Sequence, residues 1–287
     1  HDVALAANEG NWSVGVTRSY VQNFLMKDGT PVYTHGTYAD GDGYYMGDRH
    51  IVNVPVNRDT RLSLFLKIKG QKNILVESQT GLDIFFEEPA PCITESSEQR
   101  GYSTGYALRK GGAFDTKYLI QNKGYTGIII YRAAEALLNY MEASYERNGT
   151  LDASAREYWG KLRSRAGITG SIDATIAATD MSKEVENDWG AYSAGKGLTD
   201  KTLYNIRRER RCEYLSEGLR YMDLCRWRAM DQMTTIPYIP EGIHLWGTDM
   251  VNWYDGSDSY HPPLIADGST SANVSSPDLS EYIRPYQ

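Results

Sequence analysis

The chain is short of the features that mark membrane spans, disulfide frameworks and nucleic-acid surfaces. Its 287 residues include only three cysteines, Cys92, Cys212 and Cys225. None forms a CxxC pair or a Cys/His metal spacing, so they read as buried thiols. The longest apolar run, near Ile128–Tyr131, falls far short of the ~18–20 residues that a spanning helix needs. Positive charge is not in excess: 30 Lys and Arg face 37 Asp and Glu, a net charge of −7. That balance argues against a phosphate backbone as the main partner. The histidines, His1, His35, His50, His244 and His261, are scattered without HxH or HExxH pairing, so they outline no metal centre. The start at His1 shows no signal peptide and no lipid-attachment cysteine, and a fragment of a longer precursor is expected.

Phenylalanine is also scarce, and this turns attention to what is present. Against 5 Phe stand 22 Tyr and 6 Trp. Such rings join an apolar face to a polar tip, which suits wet, flat ligand surfaces. A chain of this length can bury one sizeable core or two modest ones.

Texture divides the chain into three regions. Residues 1–125 are rich in Gly, Asp and Tyr, with strand-like runs at Arg61–Ile68 and Asn73–Val76 and dense turn punctuation. Residues 126–228 are helical in pattern. Ala134, Leu137, Leu138, Met141 and Tyr145 fall on one helix face, and Gly149 is placed as a stop. Asp152 reads as the cap of a second helix carrying Ala155, Tyr158, Trp159 and Leu162, ended by Gly167. So short a connection predicts an antiparallel hairpin. A long third helix is expected over Leu198–Arg228, capped by Thr199 or Asp200. Residues 229–287 return to loop character.

Several motifs fail on context. Gly101-Tyr-Ser-Thr-Gly105 matches GxSxG, but no buried strand precedes it. Asp40-Gly-Asp-Gly-Tyr-Tyr-Met-Gly-Asp48 breaks the EF-hand pattern at Tyr44 and Tyr45. An irregular structural calcium site at Asp40, Asp42 and Asp48 is the weak alternative to a plain turn; no other cofactor is expected. Carboxylates are plentiful, yet none is singled out as a glycosidase pair.

The densest run is Arg207–Trp227, RRERRCEYLSEGLRYMDLCRW, with six arginines and four acids. Read as a helix, Arg210–Glu213, Glu217–Arg220, Arg220–Asp223 and Asp223–Arg226 stand three apart and would pair along the surface. A self-paired structural helix is expected, with Gly218 marking either a close approach or a break.

This run resembles the signature of SusD/RagB-like proteins, through Glu209-Arg-Arg-x-Glu213 and Glu217-Gly-x-Arg220-x-x-Asp223-Leu-x-Arg226-Trp227. Further pieces agree in order: Arg58-Asp-Thr-Arg61-Leu62, Gly105-Tyr106 to Arg109-Lys110, Arg132-Ala-Ala-Glu135 to Glu142-Ala143, and Leu162-Arg163-x-Arg165-Ala-Gly167. The resemblance implies a mainly α fold, a tetratricopeptide-like helical scaffold with loop-rich, partly β excursions, here lacking an N-terminal helical half. It implies a surface lipoprotein of the outer membrane in Bacteroidetes-type bacteria. Such a protein captures glycans, or oligopeptides in the RagB manner, for a SusC-like TonB-dependent transporter, and catalyses nothing. A glycoside hydrolase is the remaining alternative.

Ligand contacts are then expected in loops. Sugar rings stack on Trp and Tyr, while their hydroxyls bond to Asp, Asn and Arg. The candidates are Trp12, Tyr33, Tyr38, Tyr44 and Tyr45, with Asp40 and Asp42 as polar partners; Trp246, Trp253 and Tyr254 form a second group.

Overall fold

The computed structural model describes residues 15–68, 70–72, 74–79, 104–118, 123–124, 127, 129–234, 238–257, 278 and 280–284. Trp12, Cys92 and the first three residues of the GxSxG match lie outside the described residues, as does Asn73.

Among the described residues the architecture is mainly α-helical, and its centre is a helical hairpin. Helix α1 spans Arg18–Asn23 and α2 spans Thr60–Phe65; α3, Ala133–Asn148, and α4, Ala153–Arg165, form the hairpin. The local signals act as expected. Gly149 takes a left-handed φ of 69° and returns its N–H to Tyr145 O, while the Asp152 side chain accepts from Ala155 N–H. Ala134, Leu138 and Met141 of α3 meet Ala155, Trp159 and Leu162 of α4 in one apolar cluster. Burying a Leu side chain in this way is favourable by about 1.5–3 kcal/mol.

Two short helices follow, α5 at Ile172–Ala178 and α6 at Met181–Asn187, capped by Ser171 and Asp180. The only two-stranded sheet among the described residues is a minimal antiparallel ribbon, β1 Tyr192–Ser193 with β2 Lys196–Gly197. Ala194 and Gly195 both have positive φ, the requirement of a tight hairpin turn. Helix α7, Lys201–Glu213, starts where Asp200 accepts from Thr202 and Leu203 N–H. It packs against α1, α3 and α5, so Tyr204 to Arg210 are buried without interruption. Helix α8 covers Leu219–Arg226.

A second core lies among the loop-rich segments. Val16, Tyr20, Phe24, Leu62 and Leu66 pack there with Ile243, Leu245, Met250 and Ile283. Isolated bridges, such as Gly15 with Ala107 and His244 with Tyr282, tie these segments together. No helix among the described residues is long and apolar enough to cross a membrane.

The fold corrects three local expectations. Arg61–Ile68 contains helix α2 in place of a strand: Asp59 caps it by accepting from Arg61 N–H, and Leu62 and Leu66 both reach the core. Leucines four apart share a helix face, whereas strand alternation would have grouped Leu62 with Leu64, which is exposed. In the second run, Leu75 and Val76 both donate to Phe114 O, and Val76 makes a single bridge to Asp115. The expected long helix over Leu198–Arg228 is broken into α7 and α8, because Ser216 and Gly218 both adopt positive φ between them.

Candidate ligand-binding face

Loop 28–50 is held by its own acids. Asp28 Oδ1 accepts from both the N–H and the hydroxyl of Thr30, at 2.9 and 2.7 Å. Asp42 Oδ1 accepts from Tyr44 and Tyr45 N–H, and its Oδ2 sits 2.9 Å from His35 Nδ1. The His35 contact, the largest influence, holds the Asp42 carboxyl below its ordinary range. Asp40 is engaged by Arg49 through two bonds of 2.7 and 2.8 Å. Gly41 is required by close approach, since a Cβ there would lie 1.8 Å from Tyr45 O. The loop is therefore a fixed platform, with little left to order when a ligand arrives.

On this platform the candidate rings take different places. Tyr44 is half-buried and lies beside the His35 imidazole, with centroids 5.2 Å apart. Tyr38 is half-buried, and the Arg18 guanidinium lies 5.2 Å from its ring centre. Tyr33 anchors the loop to α6: its hydroxyl donates to Glu184 at 2.7 Å and accepts from Asp180 N–H at 2.9 Å. Tyr45 is 1 % exposed, packed with Met26 and Val32, and donates to Tyr38 O. A ring so enclosed belongs to the core and offers no stacking face, which corrects its place among the ligand contacts.

The second group divides in the same way. Trp246 and Tyr254 are buried in the second core and present no surface for stacking. Trp253 is half-buried and meets His50 edge-on at 5.0 Å. Asp40, Asp42 and Asp48 are each taken by different partners, and Asp48 is buried against His244 and Tyr282. Among the described residues no group of three or more His, Cys, Asp or Glu could hold a metal ion.

One aromatic pair was not foreseen. Trp189, just after α6, meets Tyr238 edge-on at 5.4 Å, and the Tyr238 hydroxyl reaches Ser19 and Thr17. The only trace in the sequence is a tryptophan in polar surroundings. The partners lie 49 positions apart, from 189 to 238, and no local spacing connects them.

The densest polar structure is elsewhere, and it joins the separated motifs. Glu213 of α7 pairs with Arg61 at 2.8 Å and also with Arg132 and Arg165. Glu217 takes Arg132 at 2.7 Å and Lys110. Glu142 of α3 receives Arg226 at 2.6 Å and the Trp227 indole N–H at 2.5 Å. Burial by itself would raise the Glu213 carboxyl, but Arg61, Arg132 and Arg165 outweigh it and pull the group down to about 2. A helix expected to pair with itself is thus answered by the rest of the molecule: of the four anticipated pairs only Asp223–Arg226, at 3.0 Å, is among the ion pairs formed.

The described residues thus form a helical scaffold whose buried arginine helix ties distant segments together, with partly open rings carried on its loops. The family model described as the SusD family matches residues 4–261, and the chain belongs to that family. The chain is also similar to the crystal structure of a SusD-like protein from Bacteroides fragilis, with 20 % identity and a TM-score of 0.53. That match covers 80 % of this chain and 38 % of the other, so the chain spans about two-fifths of that protein's length. At this identity the likeness shows the fold. No curated protein matches the chain.

Proposed function

We propose that this chain is part of a nutrient-binding protein that captures oligosaccharides at the cell surface. It would hand them to a SusC-like TonB-dependent transporter in the outer membrane, held there by a lipid attached outside these residues. In this reading the protein binds its cargo and catalyses no reaction on it.

The observation that carries the glycan reading is loop 28–50, where Tyr38 and Tyr44 remain partly open on a backbone fixed by Asp28, Asp42 and Gly41. Rigid rings with polar tips stack on the C–H faces of sugars at small entropic cost. The Arg49–Asp40 pair of the same loop is exposed, so its groups can exchange water for sugar hydroxyls. Oligopeptide capture is the competing outcome. A glycan array run beside a peptide library separates them: binding to glycans alone supports the proposal, and binding to peptides alone overturns it. Silence in both removes the capture reading, and turnover of a bound glycan by the pure protein would establish an enzyme instead.

A further inference from the structure

We propose that Cys225 and Met230 form a two-sulfur site for a soft monovalent metal ion of the Cu(I) class at the end of α8. Cys225 Sγ lies 3.9 Å from Met230 Sδ. Cys225 is exposed and Met230 half-buried, so an ion that reaches the thiol from solvent meets the thioether beside it.

The chain fixes this pair. Helix α8 ends in a Schellman turn, in which Ala229 N–H donates to Leu224 O at 2.8 Å and Arg228 N–H to Cys225 O at 2.9 Å. Arg228 takes the left-handed conformation that the turn requires, with φ of 50°. The chain folds back there, and position 230 returns beside position 225. Ala229 is sealed against Tyr192 and Trp227, the Gln232 side chain donates to Ala229 O, and Arg228 bonds Asp231 at 2.6 Å. Met230 is thus held from both sides, and little backbone freedom remains to be lost when an ion binds.

The spacing of the sulfurs suits a shared ion. With bonds of ~2.3 Å, the usual metal–thiolate length, sulfurs 3.9 Å apart subtend about 116° at the metal. That angle lies between the tetrahedral and trigonal values and leaves room for a third donor. Met222 stands three positions before Cys225, and Met233 three after Met230; both are more than half exposed, on flexible thioether side chains. Thiolate and thioether together select Cu(I). Zinc instead asks for a set of Cys, His or carboxylate ligands, and among the described residues no three of these gather. The flanking guanidinium groups are already answered, Arg226 by Glu142 and Asp223 and Arg228 by Asp231. On binding, the thiol releases its proton to solvent as the metal–sulfur bond forms. Copper stays in the +1 state, and the metal–thiolate unit is neutral beside those arginines.

The test is an anaerobic titration of the purified chain with Cu(I), kept reduced by ascorbate, against the coloured chelator bicinchoninate. One equivalent of tight binding is expected that Cys225→Ser removes; Cys212 is buried and does not replace it. Met230→Leu keeps volume and apolar character, so the melting temperature should hold, while Cu(I) affinity falls by roughly tenfold or more. X-ray absorption of the loaded protein should show sulfur neighbours alone. Absence of Cu(I) binding, full retention in Cys225→Ser, or Zn(II) bound as tightly as Cu(I) would each overturn the proposal. Unaltered affinity in Met230→Leu would do the same, by showing a surface thiol acting without the thioether. The probe is a metal ion and no carbohydrate is present, so the outcome is independent of the glycan array.

Discussion

Arg210 and Asp223 meet at 2.6 Å across the break between α7 and α8, both nearly sealed from solvent. The sequence spacing offered Arg210 a closer acid in Glu213, one turn along the same helix. The fold gives Glu213 to Arg61, Arg132 and Arg165, and uses Arg210 to fasten α8 and, through Asn139 at 2.6 Å, α3.

Asp223→Asn is therefore expected to cost roughly 3–5 kcal/mol, because it strands a buried guanidinium. Replacing both partners, as Arg210→Met with Asp223→Leu, should cost clearly less than the sum of the single changes. Chemical denaturation of the four proteins in a double-mutant cycle measures the coupling; strict additivity would show that the pair contributes nothing of its own.

Acid should loosen the scaffold in a defined window. Glu213 is held at about 2 in the fold against an ordinary 4.5, and Glu142 and Asp188 are lowered in the same direction by their arginines despite burial. A depressed carboxylate stabilises the fold above its unfolded pKa, and that contribution drains away as pH falls through the folded value. Stability should thus decline from about pH 4.5 toward pH 2, and Glu213→Gln should flatten part of that slope while lowering stability at pH 7. Melting temperatures across this range provide the check.

Gly218 tests the nature of the helix break. Its φ is 76°, and a Cβ built there would meet nothing within 4 Å, so only the backbone demands glycine. Gly218→Ala should cost about 1 kcal/mol, and Gly218→Asn less, since Asn tolerates the left-handed region. A loss of several kcal/mol on Gly218→Ala would instead indicate a close contact.

The neighbours Tyr44 and Tyr45 should separate binding from stability. Tyr45→Ala empties a core position and is expected to destabilise by about 3–5 kcal/mol. Tyr44→Ala should leave the melting temperature within a degree or two and weaken glycan binding. Equal effects of both substitutions on the melting temperature would refute this division.

How far the residues alone could lead differs between the scaffold and the face. The hairpin α3–α4 was legible because its signals are local: a periodic apolar face, Gly149 at the stop and Asp152 at the cap. The same applies to Asp200 ahead of α7. Arg61–Ile68 misled because the alternating leucines satisfy a strand, and the deciding fact, a buried Arg61 answered by Asp59, Glu209 and Glu213, is tertiary. Among the candidate rings, the adjacent Tyr44 and Tyr45 differ, one half-buried and one enclosed, and nothing in their spacing separates the two.

The sequence by itself determined the α3–α4 hairpin with its stop and its cap, the start of α7, and the set of charged motifs that identify the family, since each rests on residues within a few positions of one another. Only the tertiary structure decided which acid answers which arginine, that the charged run is two helices in a buried ionic core, and which aromatic rings stay partly open. Pairing and burial depend on residues brought together from distant parts of the chain, and one-dimensional spacing carries no measure of that distance.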